Sequence, residues 1–152
     1  MGNICRSPLA EGVFRKLHLE QAPDLHLQIG SAGTHAYHVG EPPDPRAMTA
    51  ARLRGVDISS HRGQLVRKED FQEYDYILPM DRDNLARLRK LQPENGRAEL
   101  KLLLEYAAGA PRDEVPDPYY GGPKDFERVL DLVEAGGRGL LDEILRRYAA
   151  SR

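Results

Sequence analysis

The sequence predicts an α/β fold, with helices packed on a parallel sheet, and three observations carry that reading. Short apolar runs of strand character at 25–29, 74–80 and 100–104 alternate with longer stretches of helical spacing. Asp44 and Asp81 stand where helix-capping residues belong. The 152 residues are 40% hydrophobic and 30% charged, enough for a real core in one ordinary domain and too few for two of typical size. One domain over 1–152 is expected, with no repeat, linker or low-complexity stretch. Strand and helix in alternation is the pattern of a layered sandwich.

Leu9, Val13, Phe14 and Leu17 follow helical spacing, with Ser7 at an N-cap place and Pro8 as first helical residue. A helix from there to Leu19 is predicted. Leu25 to Ile29 alternates apolar and polar residues and runs into Gly30, Ser31, Ala32 and Gly33, a strand ending in a small-residue turn. The Gly-, Pro- and His-rich stretch THAYHVGEPPDP has no periodicity and reads as an exposed loop. Asp44 and Pro45 then open a helix through Arg54, stopped by Gly55. After the polar connection ISSHRGQL, the run YDYILPM reads as a buried strand despite Pro79, and Asp81 caps a helix to about Leu91. Leu100 to Leu104 is short enough for a strand, although periodicity leaves a helical turn open. Beyond the loop GAPRDEVPDPYYGGP, a last helix aligns Phe126, Val129, Leu130, Val133, Leu140, Leu141, Ile144 and Leu145. A doubly wound domain opens with a strand that feeds its first helix, whereas here that helix follows directly on Met1-Gly2-Asn3. The first strand is therefore expected to be missing from this chain.

Composition narrows the function. A formal net charge of -2 with both signs scattered gives no basic stripe, so nucleic acid is not an expected partner. No apolar run is long enough to cross a bilayer, so no membrane association is expected. One cysteine allows no internal disulfide, and the first residues lack the charged head and apolar stretch of a secretory signal; a cytoplasmic location is expected.

Gly2 and Asn3 readily take positive φ and stand just ahead of a helix whose first amides are unpaired. Such a turn makes an anion nest, to which Arg6 adds a bidentate guanidinium for phosphate. The string GNICRSP matches the second part of the CxGNxCRSP signature of low-molecular-weight protein tyrosine phosphatases. SAGT (Ser31 to Thr34), DPRA (Asp44 to Ala47), MDxxNL (Met80 to Leu85) and DPYYG (Asp117 to Gly121) follow in that family's order. The chain resembles this family over nearly its whole length.

The resemblance implies a small doubly wound sandwich with a four-stranded parallel sheet flanked by helices. It implies hydrolysis of phosphotyrosine monoesters through a phosphocysteine, with phosphotyrosine proteins or small aryl phosphates as substrates, inorganic phosphate as inhibitor, and neither metal nor cofactor. Gly2, Asn3, Ile4, Cys5, Arg6 and Ser7 would form the phosphate-binding loop. Arg6 would clamp the phosphate, Ser7 would donate to the thiolate or cap the helix, and His61 would support the loop behind Asn3. Asp117, between Pro116 and Pro118, would be the general acid, and Tyr37, Tyr119 and Tyr120 would wall a slot for an aromatic ring. Asp44 and Asp81 match family positions too, and capping explains both.

The family's nucleophilic cysteine stands two positions before the glycine of GNxCRSP, a place immediately ahead of Met1. Cys5 matches the second, supporting cysteine; a CxxxxxR loop starting there would need arginine where Glu11 stands. The chain as written is thus expected to be truncated and inactive. A non-catalytic phosphate-binding or regulatory protein is the alternative. Of the related branches, arsenate reduction needs further cysteines, and phosphoarginine hydrolysis goes with threonine where this chain has Ile4.

Overall fold

The computed structural model describes residues 4–109 and 113–150. Helix α1 spans Arg6–Gln21, with Cys5 rather than Ser7 as its N-cap. The Cys5 carbonyl accepts the first helical bond, from the Leu9 amide at 3.2 Å. The earlier start is compatible with Pro8 because amides in a helix's first turn have no intrahelical partner, so a proline there forfeits no bond. Leu9, Val13 and Leu17 are buried along one face of α1, against Phe126, Val129, Leu130 and Val133.

Helix α2 (Pro45–Leu53) begins where predicted: the Asp44 carboxylate accepts from the Arg46 amide at 2.9 Å, Pro45 is in the first turn, and Gly55 leaves the helix at φ +76. A short helix, α3 (Asp70–Glu73), seats the fully buried Phe71. Helix α4 (Arg82–Leu91) is capped by Asp81, which accepts from the Asn84 amide at 2.8 Å. Both readings of the run at 100–104 are realised in succession. Strand β2 (Glu99–Leu100) leads into a 3-10 helix, Leu103–Tyr106.

Helix α5 (Pro123–Ala150) lies across α1 and the 3-10 turn. Its glycines would cost about 1 kcal/mol each against alanine in an isolated helix, and packing explains two of them. A Cβ at Gly136 would come within 2.8 Å of the Leu103 side chain, and one at Gly139 within 1.7 Å of the Tyr106 carbonyl oxygen.

Strand β1 (Tyr76–Ile77) pairs in parallel with β2, Tyr76 opposite Glu99 and Ile77 opposite Leu100. Backbone bonds continue the pairing from Glu99 N–H to Asp75 C=O (2.9 Å) and from Leu103 N–H to Pro79 C=O (3.0 Å). The described residues hold two hydrogen-bonded strands and one isolated parallel bridge, Gly33 to Leu65, short of the four strands the resemblance implies. Among the described residues, 26–32 join no ladder, and a groove runs beside them. That groove, about 690 Å³ with its continuation into the site, separates residues 26–32 from β1. Phe14, Leu27, Ile29, Leu78, Val133 and Leu140 give it apolar walls.

Candidate active site

One end of the groove opens between the start of α1 and two loops, and there the chemistry-bearing side chains converge. Ile4, Cys5, Arg6, Ser7, Tyr37, Asp117, Tyr119 and Tyr120 all line it. Gly2 and Asn3, the rest of the expected phosphate loop, lie outside the described residues, and so does the Asn3–His61 contact.

Arg6 is the first residue of α1 and is only 4% exposed. A buried guanidinium demands partners, since an unpaired charge out of water is strongly disfavoured. Its Nη1 donates to Asp81 Oδ2 at 2.6 Å and to the Val115 carbonyl at 2.8 Å. Asp81 therefore does two things: it caps α4 and fixes the guanidinium. Burial works against the Asp81 charge, but the Asn84 amide and Arg6 outweigh it and hold the carboxyl below its ordinary range.

Cys5 is buried. Burial first, and then the nearby Asp44 and Asp117 carboxylates, push its thiol up to about 12. It is a neutral thiol at pH 7, and the thiolate is the nucleophilic form.

Opposite α1, the Pro-bounded loop exposes Asp117 while burying Pro118 completely. Asp117 Oδ1 accepts from the Tyr119 amide at 3.0 Å, which restrains the carboxyl orientation. Tyr119 and Tyr120 meet edge to face with centroids 4.9 Å apart, and Tyr37 stacks on His35 at 5.3 Å. Tyr120 is 97% exposed, so it forms the rim of the slot rather than a wall.

His61 packs on Glu11, Nδ1 to Oε1 3.7 Å, and Ser31 Oγ donates to the same oxygen at 2.7 Å. Burial opposes the Glu11 charge, but bonds from His61, Ser31 and Arg15 outweigh it and hold the carboxyl below its usual range. Glu11 thus joins α1 to the SAGT segment, a role the sequence reading missed. A carboxylate in a helix that otherwise packs on the core was the available signal. On the other side, Asn84 Nδ2 donates to Thr34 Oγ1 at 3.2 Å, tying SAGT to MDxxNL.

Arg46 was also missed. Its Nε and Nη2 grip the two oxygens of Asp44 at 3.0 and 2.8 Å, and the guanidinium lies 5.0 Å from the Phe126 ring centroid. A cation in the first turn of a helix opposes the helix dipole, which is itself a sign that something outside the helix holds it there.

A sequence profile described as low molecular weight phosphotyrosine protein phosphatase matches residues 1–150. The chain is 40% identical over 148 residues to the low molecular weight phosphotyrosine protein phosphatase of Sus scrofa, across 95% of this chain and 91% of that one. The crystal structure of a protein tyrosine phosphatase from Entamoeba histolytica, with Hepes in the active site, superposes with a TM-score of 0.92 at 35% identity. That match covers 97% of this chain and 94% of the other. A Drosophila arginine phosphatase superposes with a TM-score of 0.87 at 26% identity, across 95% of this chain and 93% of that one. Profile, relative and site geometry converge, and the chain belongs to the low molecular weight phosphotyrosine protein phosphatases, a family of phosphoric-monoester hydrolases.

Proposed function

We propose that this domain, residues 1–152, hydrolyses phosphotyrosine monoesters through a phosphocysteine formed on a cysteine placed immediately ahead of Met1. The observation that carries the reading is Arg6: a buried guanidinium at the floor of the cleft, oriented by Asp81 and Val115, with Asp117 on the facing loop.

The thiolate attacks phosphorus, an S–P bond forms and the P–O bond to the phenol breaks. Asp117 gives its proton to the departing phenolate. Water then attacks the phosphocysteine and passes a proton back to Asp117; the S–P bond breaks, and phosphate and thiolate are released. Gly2 to Ser7 cradle the phosphate through amides at the helix start, and Arg6 holds the charge that develops on its oxygens. Tyr37 and Tyr119 flank the substrate ring, Tyr120 borders it, and His61 braces the loop through Glu11.

The structural counterpart is that the upstream segment lies as a strand in the groove between residues 26–32 and β1. Apolar walls, and the strand β1 along one side, support that placement. A polypeptide of these 152 residues alone keeps the phosphate-binding groups but has Cys5 as its one thiol, so it is expected to bind phosphate without turnover. The test compares it with the same residues preceded by an apolar strand ending in cysteine. The extended protein should hydrolyse p-nitrophenyl phosphate and phosphotyrosine peptides and melt at a higher temperature. Equal activity in the shorter chain would overturn the assignment of the nucleophile.

Phosphoarginine is the second substrate class, favoured by the likeness to the Drosophila arginine phosphatase. Ile4 in the loop and the aromatic rim favour phosphotyrosine. A phosphoarginine peptide turned over faster than a phosphotyrosine peptide of the same sequence would reverse that choice.

A further inference from the structure

We propose that Arg46 is a positioning residue that sets the general acid against the phosphate loop, an inference that rests on the reading of Asp117 as that acid. A continuous run of hydrogen bonds joins the two sides of the cleft through this one side chain. At the phosphate side, the Asp44 amide donates to the Ile4 carbonyl at 2.9 Å. The Asp44 carboxylate is gripped by Arg46 through Nε and Nη2. At the other side, Arg46 Nη2 donates to the Tyr119 carbonyl at 2.6 Å and Nη1 to the Gly121 carbonyl at 3.2 Å. Tyr119 in turn gives its amide to Asp117 Oδ1 at 3.0 Å.

The guanidinium also lies 5.7 Å from the Tyr119 ring centroid and 5.0 Å from that of the fully buried Phe126. Its plane is thus anchored to the core of α5 while its edges hold both loops. The planar fork matters here. An ammonium group is a point charge that pairs with Asp44 but cannot hold that carboxylate and two carbonyls of the facing loop at once.

The loop is pinned upstream by Val115, whose amide donates to the Met80 carbonyl at 2.8 Å, and by the buried Pro118, while its acid is solvent-exposed. Without the strut, Asp117 is still present, but its distance from the leaving oxygen is no longer fixed. A misplacement near 1 Å costs on the order of 10²-fold in rate. The loss should fall on substrates that need the proton.

The test uses the active, cysteine-bearing protein with phenyl phosphate and 2,4-dinitrophenyl phosphate, whose phenolate leaves unaided. Arg46→Gln should slow phenyl phosphate by about tenfold to 10²-fold and the dinitrophenyl ester little. Arg46→Lys should show the same bias at smaller amplitude and keeps the question open to test should the glutamine variant fold poorly. In an Asp117→Asn background the Arg46→Gln change should cost less than about twofold, because residues that act as one unit are not additive. Equal slowing of both esters, or the full loss repeated in the Asp117→Asn background, would overturn the proposal. If Asp117→Asn itself slows both esters alike, the acid assignment falls and this proposal with it; if it shows the bias and the Arg46 variants do not, only Arg46 is misassigned.

Discussion

The two sides of the cleft are built on opposite principles. On the α1 side, Arg6 is 4% exposed and locked by the half-buried Asp81 carboxylate and a backbone carbonyl. On the facing side, Asp117, Tyr119 and Tyr120 stand in solvent on a loop anchored at the buried Val115 and Pro118, with Asp117's own turn and Arg46 holding its exposed part. In the proposed reaction, the difference separates two tasks. Binding a doubly charged phosphate needs fixed, desolvated donors whose orientation does not change during reaction. Handing a proton to varied phenols needs a group in contact with water that can be recharged between turnovers.

The comparison is broken most severely at Arg6. Arg6→Lys keeps the charge and loses the fork, so turnover of every aryl phosphate should fall by about 10²–10³-fold, the scale for losing a transition-state donor. Inhibition by inorganic phosphate should weaken in step, measured as Ki from initial rates. Unchanged Ki would mean the guanidinium faces the protein and not the ligand.

Asp117→Asn removes the other side alone. Phenyl phosphate should slow by roughly 10²-fold, while esters of very acidic phenols should be nearly unaffected. A steady-state leaving-group series measures this directly.

Asp81→Ala should sharpen the contrast in stability as well as in rate. It strips a buried guanidinium of its partner and α4 of its cap, together about 3 kcal/mol or more. Urea unfolding checks this, and a loss under about 1 kcal/mol would show Arg6 relaxing to a new partner. Asp117→Asn, exposed, should unfold with the parent to within about 0.5 kcal/mol.

The smallest effect is on pH dependence. The Asp81 carboxyl lies below its ordinary value in the folded protein, so folding favours its charged form. The stability this gives is complete above about pH 4, near the unfolded value, and is lost as pH falls through the lower folded value. Thermal midpoints between pH 5 and 3 should therefore drop less steeply for Asp81→Asn than for the parent.

Helices were legible where a local residue sets the boundary. Asp44 and Asp81 place α2 and α4 because a cap acts within three residues. The start of α1 was misjudged since Ser7 has the chemistry of a cap and Cys5 does not, yet the chain turns at Cys5. Strand pairing was the weakest part of the reading, as a ladder depends on a partner far away in sequence: residues 26–32 have strand composition and border the groove instead. Within the site, described residues of GNICRSP, SAGT, MDxxNL and DPYYG line one groove, whereas the contacts of Glu11, outside any motif, and of Arg46, inside DPRA, escaped notice because they are made across the cleft.

The most direct test of a fixed phosphate side and a separate proton-donating side is vanadate inhibition, measured side by side for Arg6→Lys and Asp117→Asn in the cysteine-bearing protein. The account predicts that Asp117→Asn keeps the parent's Ki to within about threefold, below the 1 kcal/mol scale of one hydrogen bond, while Arg6→Lys loses at least tenfold. Equal weakening in both variants would contradict it, because both sides would then be holding the phosphate.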